Sequence, residues 1–473
     1  MVKVLAFACL VACADEVIVI APVIDGPPDG STASAFPELD TVELSIALAG
    51  EPDALSTATF KRGEPLELRD VPYGENLVIH MLGRVAGVEV ATGRTCTFAI
   101  RPDEPPPAPH LYFARTVRWG EAETPASRVR LEGTAIMHRD GSALFLGGHL
   151  VDNVAVRGVD RFDALNGVFE PLVDVSTRSG GSVAALGDGR IVIAGGIDPS
   201  TAKAAATIDV VLVDTRQVEA VDAGPLLAGI APTLATLSDG RIVAFGGRDV
   251  MGTPISQLVE ISGEGAITLR VLRSTLAIPR FAHTATRLSD DFGAPVLITG
   301  GVDGSGALIA GAELYKPLIE ELATGFTRAM VVPRRDHQAV RLNDGSVLIV
   351  GGRDATGTPV RTLELFSLES GFLDAGTLPS TAGLTEQSLT TLPDGRILLS
   401  GGRDELGNVV NDVFIIRLDP IGGGVDIVTT DPLSRPRARH QATTLCDGTV
   451  MLVGGTDEPT PAERYNPPSA GRR

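Results

Sequence analysis

The sequence predicts an all-β chain in which a seven-bladed β-propeller is preceded by a small β-sandwich domain. Three observations predict this. Gly 54 and Pro 32 in 473 residues are too many for a helical protein and suit many short strands joined by tight turns. No stretch beyond the first dozen residues keeps a helical apolar period. Above all, a pair of glycines recurs seven times, at Gly147-Gly148, Gly195-Gly196, Gly246-Gly247, Gly300-Gly301, Gly351-Gly352, Gly401-Gly402 and Gly454-Gly455, with spacings of 48, 51, 54, 51, 50 and 53 residues. A period near fifty marks one sheet per repeat in a circular array.

The N-terminus reads Met1-Val2-Lys3, an apolar run from Val4 to Ala12, then Cys13 and Ala14-Asp15-Glu16. One positive charge, a short apolar core and a small residue before the cut make a secretory leader, too short to span a membrane. Leu10-Val11-Ala12-Cys13 resembles a bacterial lipobox, with Ala6-Phe7-Ala8-Cys9 a competing match. The resemblance implies that residues 1–13 end in a lipidated Cys13. It also implies a membrane partner through that anchor, at the outer membrane or cell surface rather than the inner membrane. Residues 14–40, rich in Gly, Pro, Asp and Ser, read as a flexible tether.

From Thr41 the pattern becomes that of half-buried strands. Val42, Leu44, Ile46 and Leu48 alternate with smaller or polar residues. Similar runs follow at Pro65–Val71, Asn76–Leu82, Val85–Ala91 and Thr95–Ile100, with turns expected at Pro72-Tyr73-Gly74 and Ala91-Thr92-Gly93. Residues 41–113 therefore form the expected sandwich, read as a spacer because Tyr73 is its one candidate sugar-stacking aromatic. A proline-rich connector, Arg101 to Pro109, leads into the repeats at 114–470. Cys96 alternates with Phe98 and Ile100 and reads as a small core residue. Cys446 precedes a turn far along the chain, so no disulfide between them is expected, and no zinc-like spacing is present.

Each glycine pair closes an apolar strand such as Val347-Leu348-Ile349. In six of seven copies an Asp-Gly hairpin signal lies upstream, as in Asp344-Gly345. The fourth copy has Asp290-Asp291-Phe292-Gly293 instead, which predicts a longer loop. Downstream come Asp160-Arg161-Phe162, Glu313-Leu314-Tyr315, Glu364-Leu365-Phe366 and Glu463-Arg464-Tyr465. Upstream come Pro279-Arg280, Pro333-Arg334 and Pro436-Arg437, each with a histidine three residues on: His283, His337 and His440. Together these elements resemble the kelch repeat, from about Val117 to Pro467, which implies four-stranded blades. The last copy stops after its third strand, so the segment Arg115–Trp119 is expected to supply the fourth and seal the ring.

A formal net charge of −19 argues against nucleic acid as a partner. Six copies read Gly-Gly-x-Asp, giving Asp198, Asp249, Asp303, Asp354, Asp404 and Asp457, with Arg248, Arg353 and Arg403 at the intervening position in three of them. Counting from the hairpins places Gly352 opposite His337 and Asp354 opposite Arg335; in the last copy Gly455 faces His440 and Asp457 faces Ala438. The functional expectation is a charged rim for a polar ligand; the structural one is a carboxylate that caps a repeated turn and pairs with arginine, and repetition favours the latter. The three histidines occupy equivalent places in separate blades, so packing over glycine is expected rather than metal ligation. The resemblance also reaches galactose-oxidase-like enzymes, whose copper site needs two tyrosines, two histidines and a tyrosine–cysteine crosslink. Tyr73 and Tyr112 lie outside the clear repeats, Tyr315 and Tyr465 fill ordinary strand positions, and no nucleophile elbow is present. The expectation is a non-catalytic binding or scaffold protein without cofactor that recognises an envelope protein or glycan. The alternative is a carbohydrate-active or oxidase-type enzyme using the propeller axis.

Overall fold

The structure, a computed structural model, describes residues 18–468 apart from 28–29, 52, 103, 122–129, 151–153, 165, 177, 179, 199–202, 225–226, 228, 230, 380–381, 420–423 and 457–460. Cys13 and Asp457 lie outside the described residues. The chain is all-β; among the described residues the one helical element is a 3-10 turn at Phe36–Glu38.

Seven four-stranded antiparallel sheets follow one another. Blade 5 is representative: Gln338–Arg341, Val347–Val350, Thr362–Ser367 and Gly371–Thr377. In the other blades the first strands are Leu131–Met137 (blade 1), Ser182–Ala185 (2), Thr233–Thr236 (3), Thr284–Arg287 (4), Ser388–Thr391 (6) and Gln441–Thr444 (7). Each first strand neighbours that of the next blade, and the seventh returns to the first, so these strands line the axis of a closed ring. The second strands of blades 2 to 7, such as Val296–Thr299 and Val347–Val350, are buried along their whole length between blades, as their unbroken apolar runs require.

Closure is as the sequence predicts, with a shifted boundary. Arg118–Glu121 pairs antiparallel with Glu463–Asn466 and completes blade 7, Trp119 standing opposite Tyr465. The Trp119 indole is buried and donates to the Asp431 carbonyl at 3.1 Å. Arg115, expected in this strand, ends the preceding strand His110–Arg115 of the N-terminal sheet.

That N-terminal sheet has the order Val23–Asp25, His110–Arg115, Val88–Thr95, Gly74–Val85, Thr41–Leu48, Ala54–Lys61, with Phe98–Ile100 pairing beside Gly74–Val85. A two-stranded ribbon, Val19–Ile20 with Leu68–Arg69, covers one face, where Ile20 and Leu68 pack on Leu44, Ile46, Ile79 and Met81. Three sequence expectations change here, the first being the run Val85–Ala91, which a hairpin turn at Ala86-Gly87 breaks so that Val85 pairs with Val88. Residues 14–40 were expected to be a tether, yet Val19–Ile20 and Val23–Asp25 are strands and Ile20, Ala35 and Leu39 are buried. Their apolar side chains are sparse but alternate, and a partner strand 45 or more residues away is what fixes them. Nor does the chain turn at Ala91-Thr92-Gly93, which lies within a strand. Gly93 is small because a Cβ there would meet Leu111 at 2.4 Å and the Tyr112 carbonyl at 2.6 Å.

The largest departure is covalent. Cys96 and Cys446 form a disulfide, with Cα atoms 5.0 Å apart across a sequence separation of 350. It joins the N-terminal domain to the blade 7 hairpin beside a shared core of Phe145, Phe162, Phe169, Leu445 and Met451. Cys96 is indeed a buried core residue, as its alternation predicts, and Cys446 does precede a turn. Only the docking of the two domains brings them together, and local spacing carries no trace of that.

Candidate functional site

Hairpins such as Asp344-Gly345 lie at one end of the second strands and the glycine pairs at the other, which defines two faces of the ring. The N-terminal domain docks through Cys446 on the hairpin face, leaving the diglycine face to the loops that bear the sequence-predicted site residues.

The diglycine is required by close approach. Gly300 and Gly301 have φ of +64° and +87°. A Cβ on Gly300 would meet the Arg334 carbonyl of the next blade at 2.5 Å and the His337 imidazole at 2.6 Å. One on Gly301 would meet the Phe281 carbonyl of its own blade at 2.5 Å. The second glycine N–H donates to the next blade's carbonyl: Gly301 to Arg334 at 3.0 Å, Gly247 to Arg280 at 3.0 Å, and Gly455 to Arg130 at 3.1 Å across the ring closure. The pair thus stitches six of the seven blades to their successors.

The arginines at these positions, with Arg178 at the equivalent place in blade 2, are buried and ion-paired, and sequence reasoning missed this. Arg178 binds Asp209 at 3.1 Å, Arg280 binds Glu313 at 2.6 Å, Arg334 binds Glu364 at 2.7 Å and Arg437 binds Glu463 at 2.7 Å; Arg130 pairs with Asp160 likewise. Each also donates to the first glycine carbonyl of its own blade, as Arg334 does to Gly351 at 3.2 Å. Blades 3 and 6 lack both partners. Gly229 and Leu384 stand where arginine would, and Val259 and Phe414 occupy the acid's place opposite Ala244 and Leu399. The charges are present together or absent together, as expected where a lone buried charge is costly.

His283, His337 and His440 are fully buried over the first glycine of the preceding blade, Gly246, Gly300 and Gly401. Burial, then the neighbouring arginine charge, pushes all three down to about 3, so they are neutral at neutral pH. His337 Nε2 lies 3.0 Å from Thr284 Oγ1 and His440 Nε2 3.0 Å from Ser400 Oγ. Gln387 takes the same place over Gly351. The expected packing of histidine over glycine is observed, the imidazole being housed by the glycine of the neighbouring blade.

Four of the six candidate aspartates cap the turns that follow the glycine pairs. Asp249, Asp303, Asp354 and Asp404 each accept the N–H groups two and four residues ahead, at 2.8 to 3.0 Å. The Thr356 hydrogen bonds hold Asp354 below its ordinary value. Asp198 lies in a short ribbon, Ile197–Asp198 with Lys203–Ala204. The expected aspartate–arginine pairing is not formed among the described residues. Arg353 and Arg403 donate to the Gly357 and Gly407 carbonyls at 2.9 and 3.0 Å, and Arg248 lies over the Phe281 ring at 5.1 Å. Nor does Asp354 face Arg335; Arg353 does, because the expected count runs one residue long. In blade 7 the pairing of Gln441 with Val453 likewise brings His440 opposite Gly454 rather than Gly455.

Each capped turn leaves its tip uncovered. The residues two after the aspartate are Met251, Ser305, Thr356 and Leu406, and Met251 and Leu406 are each 86% exposed. Inside this rim, residues at the start of the first strands adopt left-handed backbone: Glu132 within that of blade 1, and Ala231, Ala282, Asp336, Glu386 and Arg439 two residues before theirs, with φ from +49° to +59°. They are linked around the axis by Asp336 N–H to Ala282 O, Arg439 to Glu386 and Glu132 to Arg439, at 2.9 to 3.0 Å. Non-glycine residues held there cost about 1 kcal/mol or more each, and only the surrounding ring enforces it. One arc of this mouth is charged. Arg439 bridges Glu386 and Glu132 at 3.0 Å, and Arg403 reaches Glu386 at 2.8 Å. Burial opposes ionisation of Glu386, but bonds from Arg439 and Arg403 hold it below its ordinary value.

Among the described residues no three His, Cys, Asp or Glu side chains are grouped to hold a metal. Tyr315 and Tyr465 point into blade cores, where burial pushes both phenols up to about 12, opposite to what a phenolate ligand requires. Cys446, the remaining element of a tyrosine–cysteine crosslink, is in the disulfide. These groups do not fit a copper centre.

No family model and no curated protein matches the chain. Among solved structures it is similar to a fungal alcohol oxidase of the AA5 family in complex with copper, at 14% identity and a TM-score of 0.54, covering 74% of this chain and 76% of that one. The shared property is the fold, a seven-bladed propeller.

Proposed function

We propose that the protein is a non-catalytic binding protein of a bacterial cell envelope, lipid-anchored at Cys13, presenting a kelch-type propeller for recognition of a protein or glycan. The observation that carries this reading is the division of labour in the rim turns. Aspartate and glycine form a constant frame, while the exposed tip varies from Met251 to Ser305, Thr356 and Leu406. A rigid frame with variable tips suits recognition, and binding residues concentrate on such loops. The disulfide supports folding in an oxidising compartment, in keeping with the leader. Docking of the N-terminal domain on the hairpin face supports an arrangement with the rim pointing away from the anchor.

Two measurements test this. A Cys13→Ser variant should move from membrane to soluble fractions; continued membrane retention would reject the anchor. Met251→Ser with Leu406→Ser should abolish capture of the native envelope partner without lowering the melting temperature; undiminished capture would reject the rim. The oxidase-type reading draws on the likeness to the AA5 enzyme alone. Stoichiometric copper uptake with alcohol turnover would replace the first reading with it.

A further inference from the structure

The second face of the N-terminal sheet, opposite its core, looks across a cleft of about 540 Å³ at the hairpins of blades 6 and 7. The register places Ser45, His80 and Arg94 in one cross-strand row and Leu82 and Thr92 in the next. The facing wall is Leu392-Pro393-Asp394 and Asp447-Gly448, with Pro467 at the side.

Arg94 is the unusual group. It is half-buried, its Nε makes no hydrogen bond, and among the described residues it forms no ion pair. Burial pushes its guanidinium down, opposed by the charge of Asp447. Asp447 is already committed: one oxygen accepts Thr449 N–H and Oγ1 at 3.0 and 2.7 Å, and the other accepts Arg464. Arg464 is itself held by Thr449 at 2.8 Å and lies over the Tyr112 ring at 4.1 Å. Asp447 is thus taken by Arg464, which leaves Arg94 without a directly bonded carboxylate, in a chain of net charge −19. A half-buried planar guanidinium that no carboxylate bonds directly is suited to a bidentate carboxylate.

We propose that this interdomain cleft binds a small polyhydroxylated monocarboxylate of the uronic-acid class, its carboxylate on Arg94 and its hydroxyls on the opposite wall. One guanidinium without a directly bonded carboxylate offers a place for one carboxylate. Glu51, Glu89 and Asp394 on the walls oppose a dianion such as a phosphate ester more strongly than a monoanion, while carboxylates and the Ser45 and Thr92 hydroxyls accept from ligand hydroxyls. The volume falls within the range of small-ligand pockets, roughly 300–1,000 Å³. Leu82, Leu392, Pro393 and Pro467 supply apolar surface for the C–H side of a sugar ring. This site is on the other face of the propeller from the rim and is independent of it.

Titration calorimetry on the full chain tests the proposal with D-galacturonate as the probe, against D-galactose, galactose 1-phosphate and glycine. A uronate should bind, with the neutral sugar, the phosphate and the zwitterion at least tenfold weaker. Arg94→Gln should lose at least tenfold in affinity with an unchanged melting temperature. Ala54→Trp, which fills the cleft and leaves the guanidinium in place, should also block binding. Met251→Ser with Leu406→Ser should leave uronate affinity unaltered, so failure of the rim reading and failure of this one are separable. No uronate binding, equal or tighter binding of galactose, the phosphate or glycine, or full affinity in a folded Arg94→Gln or Ala54→Trp variant would overturn it.

Discussion

A buried imidazole is where this fold meets pH. His283, His337 and His440 titrate near 3 in the folded ring against about 6.5 in an unfolded chain. Between those values the unfolded state binds more protons, so their stabilisation is complete above about pH 6.5 and is lost as pH falls toward 3. By about pH 4.5 each withdraws on the order of 3 kcal/mol. Blade 6 already carries the acid-insensitive solution in Gln387. A His283→Gln, His337→Gln, His440→Gln variant should therefore keep its neutral-pH stability within about 2 kcal/mol and hold a higher melting temperature than the parent at pH 4.5. Thermal melts from pH 7 to pH 4 would check this, and parallel curves would contradict it. The histidines were legible in the sequence because Pro-Arg-x-x-His recurs, and so was the glycine beneath them. Which glycine was not legible, since the imidazole crosses to the neighbouring blade and blade order in space is a property of the closed ring.

Within a blade, the paired Arg334 and Glu364 show how far a repeat can be read. Both members stood out as recurrent residues, Pro333-Arg334 and Glu364-Leu365-Phe366, yet nothing local links positions 30 apart. The readable signal was their joint loss in copies 3 and 6. Arg334→Leu strands Glu364 in a site that is 1% exposed and should cost about 3–5 kcal/mol. Arg334→Leu with Glu364→Phe installs the blade 6 pair of Leu384 and Phe414 and should recover part of that loss. Recovery is incomplete because Glu364 also accepts the Val331 and Val332 N–H groups at 2.7 and 3.0 Å. Denaturant unfolding of the two variants checks the order; a double variant less stable than the single would contradict it. The rim aspartates were readable for the same reason as the glycines, being fixed by turns of a few residues. Asp354→Ala should lower the melting temperature only slightly, as the loss of an exposed turn cap does, rather than abolish recognition.

At the scale of the molecule, ring closure and domain docking reinforce one another through different chemistry. The seam of blade 7 joins residues near 119 to residues near 465, and the Cys96–Cys446 bond lies beside it, so the same two ends of the chain are held twice. Asn466 extends the junction, donating to the Thr92 and Ala114 carbonyls at 2.9 and 2.8 Å. The seam could be foreseen, because the last repeat lacks a strand and a strand-like segment precedes the first. The disulfide could not, since its two ends belong to different domains whose docking is set by side chains spread over both. Cross-linking residues 350 apart removes much chain entropy from the unfolded state, worth ~3–5 kcal/mol where the native geometry accommodates it. Reduction should therefore lower the melting temperature of the parent by several degrees. Cys96→Ser and Cys446→Ser should each melt like the reduced parent and no longer respond to dithiothreitol. The loss should appear first at the blade 7 seam, as faster amide exchange in Arg118–Glu121 and Glu463–Asn466, because unfastening the N-terminal domain frees the strand that completes the ring. An unreduced parent with the same exchange rates at that seam as Cys96→Ser would show that the two fastenings act independently.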